Sequence, residues 1–216
     1  MRHFFFDLDG TLADTDADIR IAWKAAIADE GLAAPDFDAK FVAGPPFDEM
    51  AKLLFPSDCS AELIERLKAG FASHYDRDGF ALTREYPGVR EVVRALRAGG
   101  DRAYILTNKR HAGTLAMARH FGWEAEFDGI YAGDMHRGDP IGVLKKPALM
   151  RLAMDEVGAA AADAVMVGDT RLDFAAAREN GVKSVAVGWG YGKPEELALA
   201  DILVHDAKEL KEVLNG

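Results

Sequence analysis

Cysteine is nearly absent: Cys59 stands alone in a chain of 216 residues, so no internal disulfide can form and a reducing, cytoplasmic setting is expected. Long apolar runs are missing as well. Nothing approaches the about 20 residues that a membrane-spanning helix needs. The start, MRHFFFDLDG, has too short an apolar stretch for a signal peptide and no small-residue cleavage site. Positive charge is in deficit, with 26 Lys and Arg against 36 Asp and Glu and a net charge of −10. That balance argues against a nucleic acid polymer or an anionic membrane as the main partner, but leaves room for a small anion in a local pocket. The six histidines are scattered without ligand spacing, so a histidine-built metal site is not expected. Internal repeats and low-complexity tracts are also absent, which sets aside solenoids and biased linkers.

What is present is ordinary globular composition, 49% hydrophobic and 29% charged. The length slightly exceeds what one core uses, so the expectation is one domain with an insertion or two small domains. After residue 84 helical and strand patterns alternate. REYPGVREVVRALRAGG has a Pro-Gly entry, apolar residues at Val89, Val92, Val93 and Leu96, and a Gly-Gly stop, which predicts a helix. RAYILTN predicts a buried strand, HAGTLAMARHFG a helix and FDGIYAG a weaker strand. KPALMRLAMDEVG predicts a helix with Pro147 in its first turn. AVMVGD and SVAVGWG read as strands flanking the helix RLDFAAARENG, and DILV and AKELKEVLN close the series. This alternation predicts a doubly wound α/β fold, a parallel sheet with crossover helices on both faces. Residues 16–83 break the rhythm with three helical patterns, DADIRIAWKAAIADEGL, FDEMAKLLF and AELIERLKAGFASHY. The expected organisation is therefore a core of residues 1–15 and 84–216 with a helical insertion at 16–83.

In open parallel sheets ligands sit beyond the carboxyl ends of the strands. The first strand ends at Asp7 with Asp9 in the turn, another ends at Thr107 and Asn108, and a third ends at Asp169 with Asp173 four residues on. Lys145 and Lys146 precede the next helix. Clustered carboxylates push one another's pKa upward, and a hard divalent cation such as Mg²⁺ would remove the conflict. The amides of Asp9-Gly10-Thr11, with Thr107 and a lysine, would then serve as donors to phosphate oxygens. Plainer readings exist for each element. Asp-Gly is a common turn, although a calcium loop would place its glycine elsewhere. Thr170 to Asp173 has the spacing of a helix capping box, and a cap and a metal-shell role for Asp173 both stay open. Threonine is frequent at strand ends. Chemistry alone does not separate Lys145 from Lys146; the position just before Pro147 favours Lys146. Asp14, Asp16 and Asp18 suit the N-terminus of the first inserted helix, and Trp23, Phe41, Phe47 and Phe71 read as packing of the insertion.

FDLDGTLADT, ILTN, KKP and VGDTRLD, in this order and covering nearly the whole chain, resemble the four motifs of the haloacid dehalogenase-like phosphatases. The insertion resembles the small helical cap of many members. The resemblance implies that Asp7 is a nucleophile forming an aspartyl-phosphate and that Asp9 is the general acid and then base. It implies phosphate binding by Gly10, Thr11, Thr107, Asn108 and Lys146, and Mg²⁺ held by Asp7, the main-chain carbonyl of Asp9, Asp169 and Asp173. WGYGKPEEL and YPGV are similar to a phosphoglycolate phosphatase branch, and AGPPF to nucleotidase-like members. A small phosphomonoester is the expected partner, phosphoglycolate first and a nucleotide or sugar phosphate second, for a monomer or homodimer. A hexose-phosphate mutase is disfavoured because the insertion lacks Gly-x-Ser-Arg, and a dehalogenase because Asp9 is present. A phospho-acceptor signalling module also gathers aspartates, a threonine and a lysine around Mg²⁺, but in another order and without a helical insertion. Selectivity is expected from AGPPF and from Arg20, Lys24 or Lys40, or failing these from the loop GDMHRGDP.

Overall fold

The computed structural model describes residues 1–57, 59–78, 80–136, 138–139 and 141–216, without the side chains of 77 and 78. The chain forms two compact units, Met1–Asp14 with Glu85–Gly216, and Thr15–Arg84. In chain order the elements are β1 (His3–Phe6), β2 (Ala13–Asp14), α1 (Asp16–Asp29), α2 (Phe37–Lys40), α3 (Phe47–Leu54), α4 (Ala61–Asp78) and β3 (Arg84–Glu85). They continue with α5 (Val89–Ala98), β4 (Arg102–Thr107), α6 (His111–Phe121), β5 (Gly129–Ala132), α7 (Lys146–Val157), β6 (Ala164–Gly168) and α8 (Arg171–Glu179). The last are β7 (Lys183–Val187), α9 (Pro194–Leu197), β8 (Ile202–Val204) and α10 (Ala207–Asn215). No helix among the described residues is long and apolar enough to cross a membrane.

The first unit is built on a six-stranded sheet in the order β5-β4-β1-β6-β7-β8. Every pairing in it is parallel, with His3 in register with Arg102 on one side and with Ala164 on the other. Strands covered on both faces need apolar residues at consecutive positions. Phe4, Phe5 and Phe6 accordingly lie fully buried in the central strand. Phe5, Leu106 and Met166 meet Leu149, Met150 and Ala153 of α7 and Ala176 and Ala177 of α8 in one core cluster. Val89, Val92, Val93 and Leu96 are the buried stripe of α5, the face that their spacing predicts. From β1 the chain builds outward first through β4 and β5 and then, on the other side, through β6, β7 and β8. The fold is thus a mixed α/β fold with a parallel Rossmann-like sheet, and β1 is its topological switch point. Two-residue strands β2 and β3 pair with each other; like α2 and α9 they are too short to leave a periodic pattern.

The second unit is helical. Trp23 is 3% exposed and stacks on Phe47 at 3.9 Å, with Phe41 and Phe71 tilted against it at 6.1 and 6.0 Å. The four rings thus pack on one another, with Trp23 and Phe41 buried and Phe47 and Phe71 half-buried. Asp18 does more than favour the start of α1: its carboxylate accepts hydrogen bonds from the amides of Leu82 and Thr83 and from Thr83 Oγ1. Arg20 pairs with Asp16 at 2.5 Å, Lys24 with Asp38 at 2.8 Å and Lys40 with Asp36 at 3.3 Å. Removing the central indole with Trp23→Ala should cost about 3–5 kcal/mol, the usual price of truncating a large buried aromatic. Chemical denaturation followed by circular dichroism reads this, and a loss below about 1 kcal/mol would show that the ring cluster does not hold the unit together.

Candidate active site

The site grows from the end of β1. The Asp7 amide still donates to the Val167 carbonyl at 2.9 Å, so the parallel ladder fixes this residue at the sheet edge. The chain then turns tightly. Gly10 N donates to the Ala13 carbonyl, and the amides of Thr11, Leu12 and Ala13 all point at the Leu8 carbonyl. Gly10 has φ of +82°, and a Cβ there would lie 2.2 Å from Asp169 Oδ2, so the left-handed turn and the close approach both demand glycine. The turn departs from the expectation in one respect. The amides of Gly10 and Thr11, expected as phosphate donors, are engaged inside the turn, and Thr11 Oγ1 donates to Asp169 Oδ1 at 3.2 Å. A loop this short needs those amides to close on itself.

Lys146 is the first residue of α7 and is 3% exposed. Its Nζ lies 2.8 Å from Asp7 Oδ1 and 2.5 Å from Asp173 Oδ1. Lys145 is exposed, so the structure separates the two lysines where chemistry did not. Asp173 is fully buried on α8. Its Oδ2 accepts from both the amide and the hydroxyl of Thr170 at 2.9 Å, completing the capping box. Among the described residues, its Oδ1 has no partner beyond the ion pair with Lys146. The cap expected of Asp173 is thus formed through one oxygen, while the other faces the Lys146 ammonium. Asp169, also fully buried, accepts from Tyr191 N at 2.7 Å as well as from Thr11. The segment after β7 is packed onto it: a Cβ on Gly190 would lie 2.4 Å from Asp169 Cβ, and one on Gly192 1.7 Å from its carbonyl oxygen.

Thr107 ends β4, is buried, and accepts from the Lys109 amide at 3.2 Å through Oγ1. Its hydroxyl proton is thereby left to donate elsewhere. Asn108, half-buried, follows it. Asp9 stands apart from the other carboxylates, with its two oxygens 3.0 and 3.3 Å from Lys109 Nζ. Its side chain, expected as the general acid and base, is thus paired with the Lys109 ammonium. The loop expected to matter beyond β5 begins with Gly133, whose amide donates to the Thr107 carbonyl, and Asp134, which accepts from His111 N at 2.6 Å. Its residues 137 and 140 lie outside the described residues. Sequence reasoning passed over Lys109, although it directly follows Thr107 and Asn108 at a strand end. It also passed over Tyr191, which acts through a main-chain amide that no side chain announces.

Asp7, Asp169 and Asp173 are the group of carboxylates, among the described residues, whose oxygens lie within 4.8 Å of one another. Burial raises the pKa of Asp7; Lys146 opposes this and Asp173 and Asp9 reinforce it, leaving it pushed up to about 7. Burial, then the charges of Asp173 and Asp7, hold Asp169 well above the ordinary carboxylate range. Burial lowers the pKa of Lys146, but its ion pairs with Asp173 and Asp7 outweigh that and raise it. One ammonium against three buried carboxylates leaves negative charge uncompensated. An all-oxygen donor set suits a hard divalent cation, so the three aspartates are a candidate metal site. Without metal, the folded state binds a proton at Asp7 more tightly than the unfolded chain does. The resulting stability is complete below about pH 4 and is lost as pH rises towards about 7. A bound cation competes with those protons. The increase in melting temperature on adding Mg²⁺ should therefore be larger at about pH 7.5 than at about pH 5, and an equal or larger increase at the lower pH would contradict this.

The haloacid dehalogenase-like hydrolase family model matches residues 4–187. The chain is 30% identical to the tyrosine-protein kinase PtkA of Mycobacterium tuberculosis, over 97% of this chain and 71% of that one. It is 30% identical to a 5'-nucleotidase of Pseudomonas aeruginosa, covering 90% and 86%, and 31% identical to a phosphoglycolate phosphatase of Chromobacterium violaceum, covering 98% and 95%. A crystal structure of a predicted phosphatase from Clostridium acetobutylicum superposes with a TM-score of 0.87 at 26% identity, over 99% of this chain and 98% of that one. With its parallel sheet and its aspartates at the strand ends, the chain belongs to the haloacid dehalogenase-like hydrolases, in a branch related to the phosphoglycolate phosphatases.

Proposed function

We propose that this enzyme is a Mg²⁺-dependent phosphatase that hydrolyses a small phosphomonoester through an aspartyl-phosphate. The observation that carries this reading is Lys146 held between Asp7 and Asp173 inside a buried carboxylate cluster. In the first displacement an Asp7 oxygen attacks phosphorus, and the ester oxygen leaves with a proton from Asp9. In the second, Asp9 takes a proton from water as that water attacks phosphorus, which restores the Asp7 carboxylate and releases inorganic phosphate. Splitting the reaction in this way is covalent catalysis. Lys146 keeps the nucleophile oriented and balances the incoming phosphate, while the Thr107 hydroxyl and Asn108 bind phosphate oxygens. Asp7, Asp169 and the carbonyl of Asp9 would hold Mg²⁺, supported by Asp173, and the cation would supply neutralising charge between the phosphate and the carboxylates.

The reading extends to a core of 1–15 and 84–216 and a helical cap of 16–83 that selects the leaving group. It also places the enzyme in the cytoplasm, as a monomer or homodimer. A phosphoglycolate-like ester is the first substrate, supported by the named relatives of that activity. A nucleoside monophosphate is second, supported by the nucleotidase relative. Membership of a hydrolase family and the helical insertion set aside a phospho-acceptor signalling module.

The test is a panel of phosphomonoesters assayed for released phosphate with Mg²⁺ and with excess chelator. Release should disappear with the chelator, and activity that survives it would overturn the metal assignment. Asp7→Asn should abolish both turnover and phosphoenzyme. Asp9→Asn should slow turnover about 10²–10⁴-fold, the usual share of general acid–base catalysis, and should accumulate phosphoenzyme from an activated aryl ester. Normal turnover by Asp7→Asn would refute the nucleophile. Phosphate that leaves the ester but stays on protein tyrosine would place the enzyme with the kinase relative instead.

A further inference from the structure

Lys109 is a second ammonium at the carboxyl end of the sheet, and the reaction described above does not use it. It is 8% exposed through its side chain and lies within hydrogen-bond distance of both oxygens of Asp9. Its amide meanwhile donates to Thr107 Oγ1. Lysine accepts such burial only where its charge is matched. The two ammonium groups divide the carboxylates between them: Lys146 faces Asp7 and Asp173, and Lys109 faces Asp9. The first therefore stands with the nucleophile and the transferred phosphoryl group. The second stands with the leaving alcohol, because Asp9 is the residue that protonates it.

We propose that Lys109 is a specificity-determining residue, pairing with a carboxylate carried on the carbon next to the substrate's ester oxygen; this rests on the phosphatase reading above. A general acid must come within about 2.6–3.2 Å of the ester oxygen, and Lys109 Nζ is one hydrogen bond beyond the same Asp9 carboxylate. A carboxylate on the ester carbon has its oxygens about 3 Å from the ester oxygen, by ordinary bond lengths. Rotation about the flexible four-carbon stem brings the ammonium across to it. The exchange conserves charge, since one carboxylate replaces another as partner of a buried cation. A neutral group at that carbon offers no such partner. Cations of the helical unit are less suited to this task, because Arg20, Lys24 and Lys40 pair with Asp16, Asp38 and Asp36 of their own unit.

The experiment compares 2-phosphoglycolate with 2-hydroxyethyl phosphate, which has a hydroxymethyl group in place of the carboxylate on the same ester carbon. With Mg²⁺ the wild-type enzyme should favour the carboxylate by about 10- to 100-fold in kcat/KM, the worth of one charge-assisted hydrogen bond. Lys109→Met should lower both values, because Asp9 loses its partner, but should also bring their ratio towards one. Lys109→Arg should hold the ratio well above that of Lys109→Met. Lys109→Gln is a second uncharged variant should the methionine variant fail to fold, as judged by circular dichroism. The ratio is the readout because any misplacement of Asp9 affects both esters alike. A wild-type ratio near one would overturn the proposal. So would equal losses on both esters in the uncharged variants, which would leave Lys109 as a positioning residue for Asp9 alone. Absence of phosphate release from either ester by the wild-type enzyme is a different result, and would overturn the phosphatase reading on which the proposal rests.

Discussion

Carboxylates buried side by side repel one another, and here three of them meet at the end of one sheet with a single ammonium, Lys146, between two of them. Much of the surrounding architecture follows from that constraint. Lys146 compensates Asp7 and Asp173, yet the pKa of Asp7 still rises to about 7 and that of Asp169 rises as well. Folding has therefore stored an electrostatic deficit that a divalent cation can relieve. Removing Lys146 would take away the ammonium that faces both Asp7 and Asp173, whereas removing either of those carboxylates would leave the lysine one buried partner fewer. Neither side of the pair is independent of the other.

Holding such a cluster requires a rigid frame. Phe4, Phe5 and Phe6 anchor the central strand on both faces, and the ladder to Val167 continues through the Asp7 amide. Glycines then let main chain approach the aspartates where any side chain would collide, at Gly10, Gly168, Gly190 and Gly192. The Asp169 carboxylate is held by Thr11 and Tyr191, and Asp173 by its own helix cap, so the carboxylates are oriented before any ligand arrives. Pre-organised charge of this kind is what phosphoryl transfer asks of a protein.

How legible this was in the sequence depends on the length scale of the signal. The parallel sheet was readable because runs such as FFF and VMVG are continuously apolar, and the alternation with helices permits few topologies. The gathering of Asp7 and Asp169 followed from the rule that strand ends face the ligand, and Lys146 from its place just before Pro147 at the start of a helix. The Asp9 side chain was not readable in this way, since its partner Lys109 comes from a different strand end a hundred positions away. The engagement of the Gly10 and Thr11 amides within their own turn was not readable either. Spacing reveals that a turn is tight, but not that its own closure takes up the donors. The Tyr191 amide was beyond reach for the same reason: every residue but proline carries one.

The central claim is that the Asp7 carboxylate itself attacks phosphorus, which its geometry against Lys146 favours. Two successive in-line displacements restore the original configuration at phosphorus, while direct attack by water inverts it. The most direct measurement is the stereochemical course of hydrolysis of an ester made chiral at phosphorus with sulfur and oxygen isotopes. The account predicts retention of configuration; inversion would contradict it.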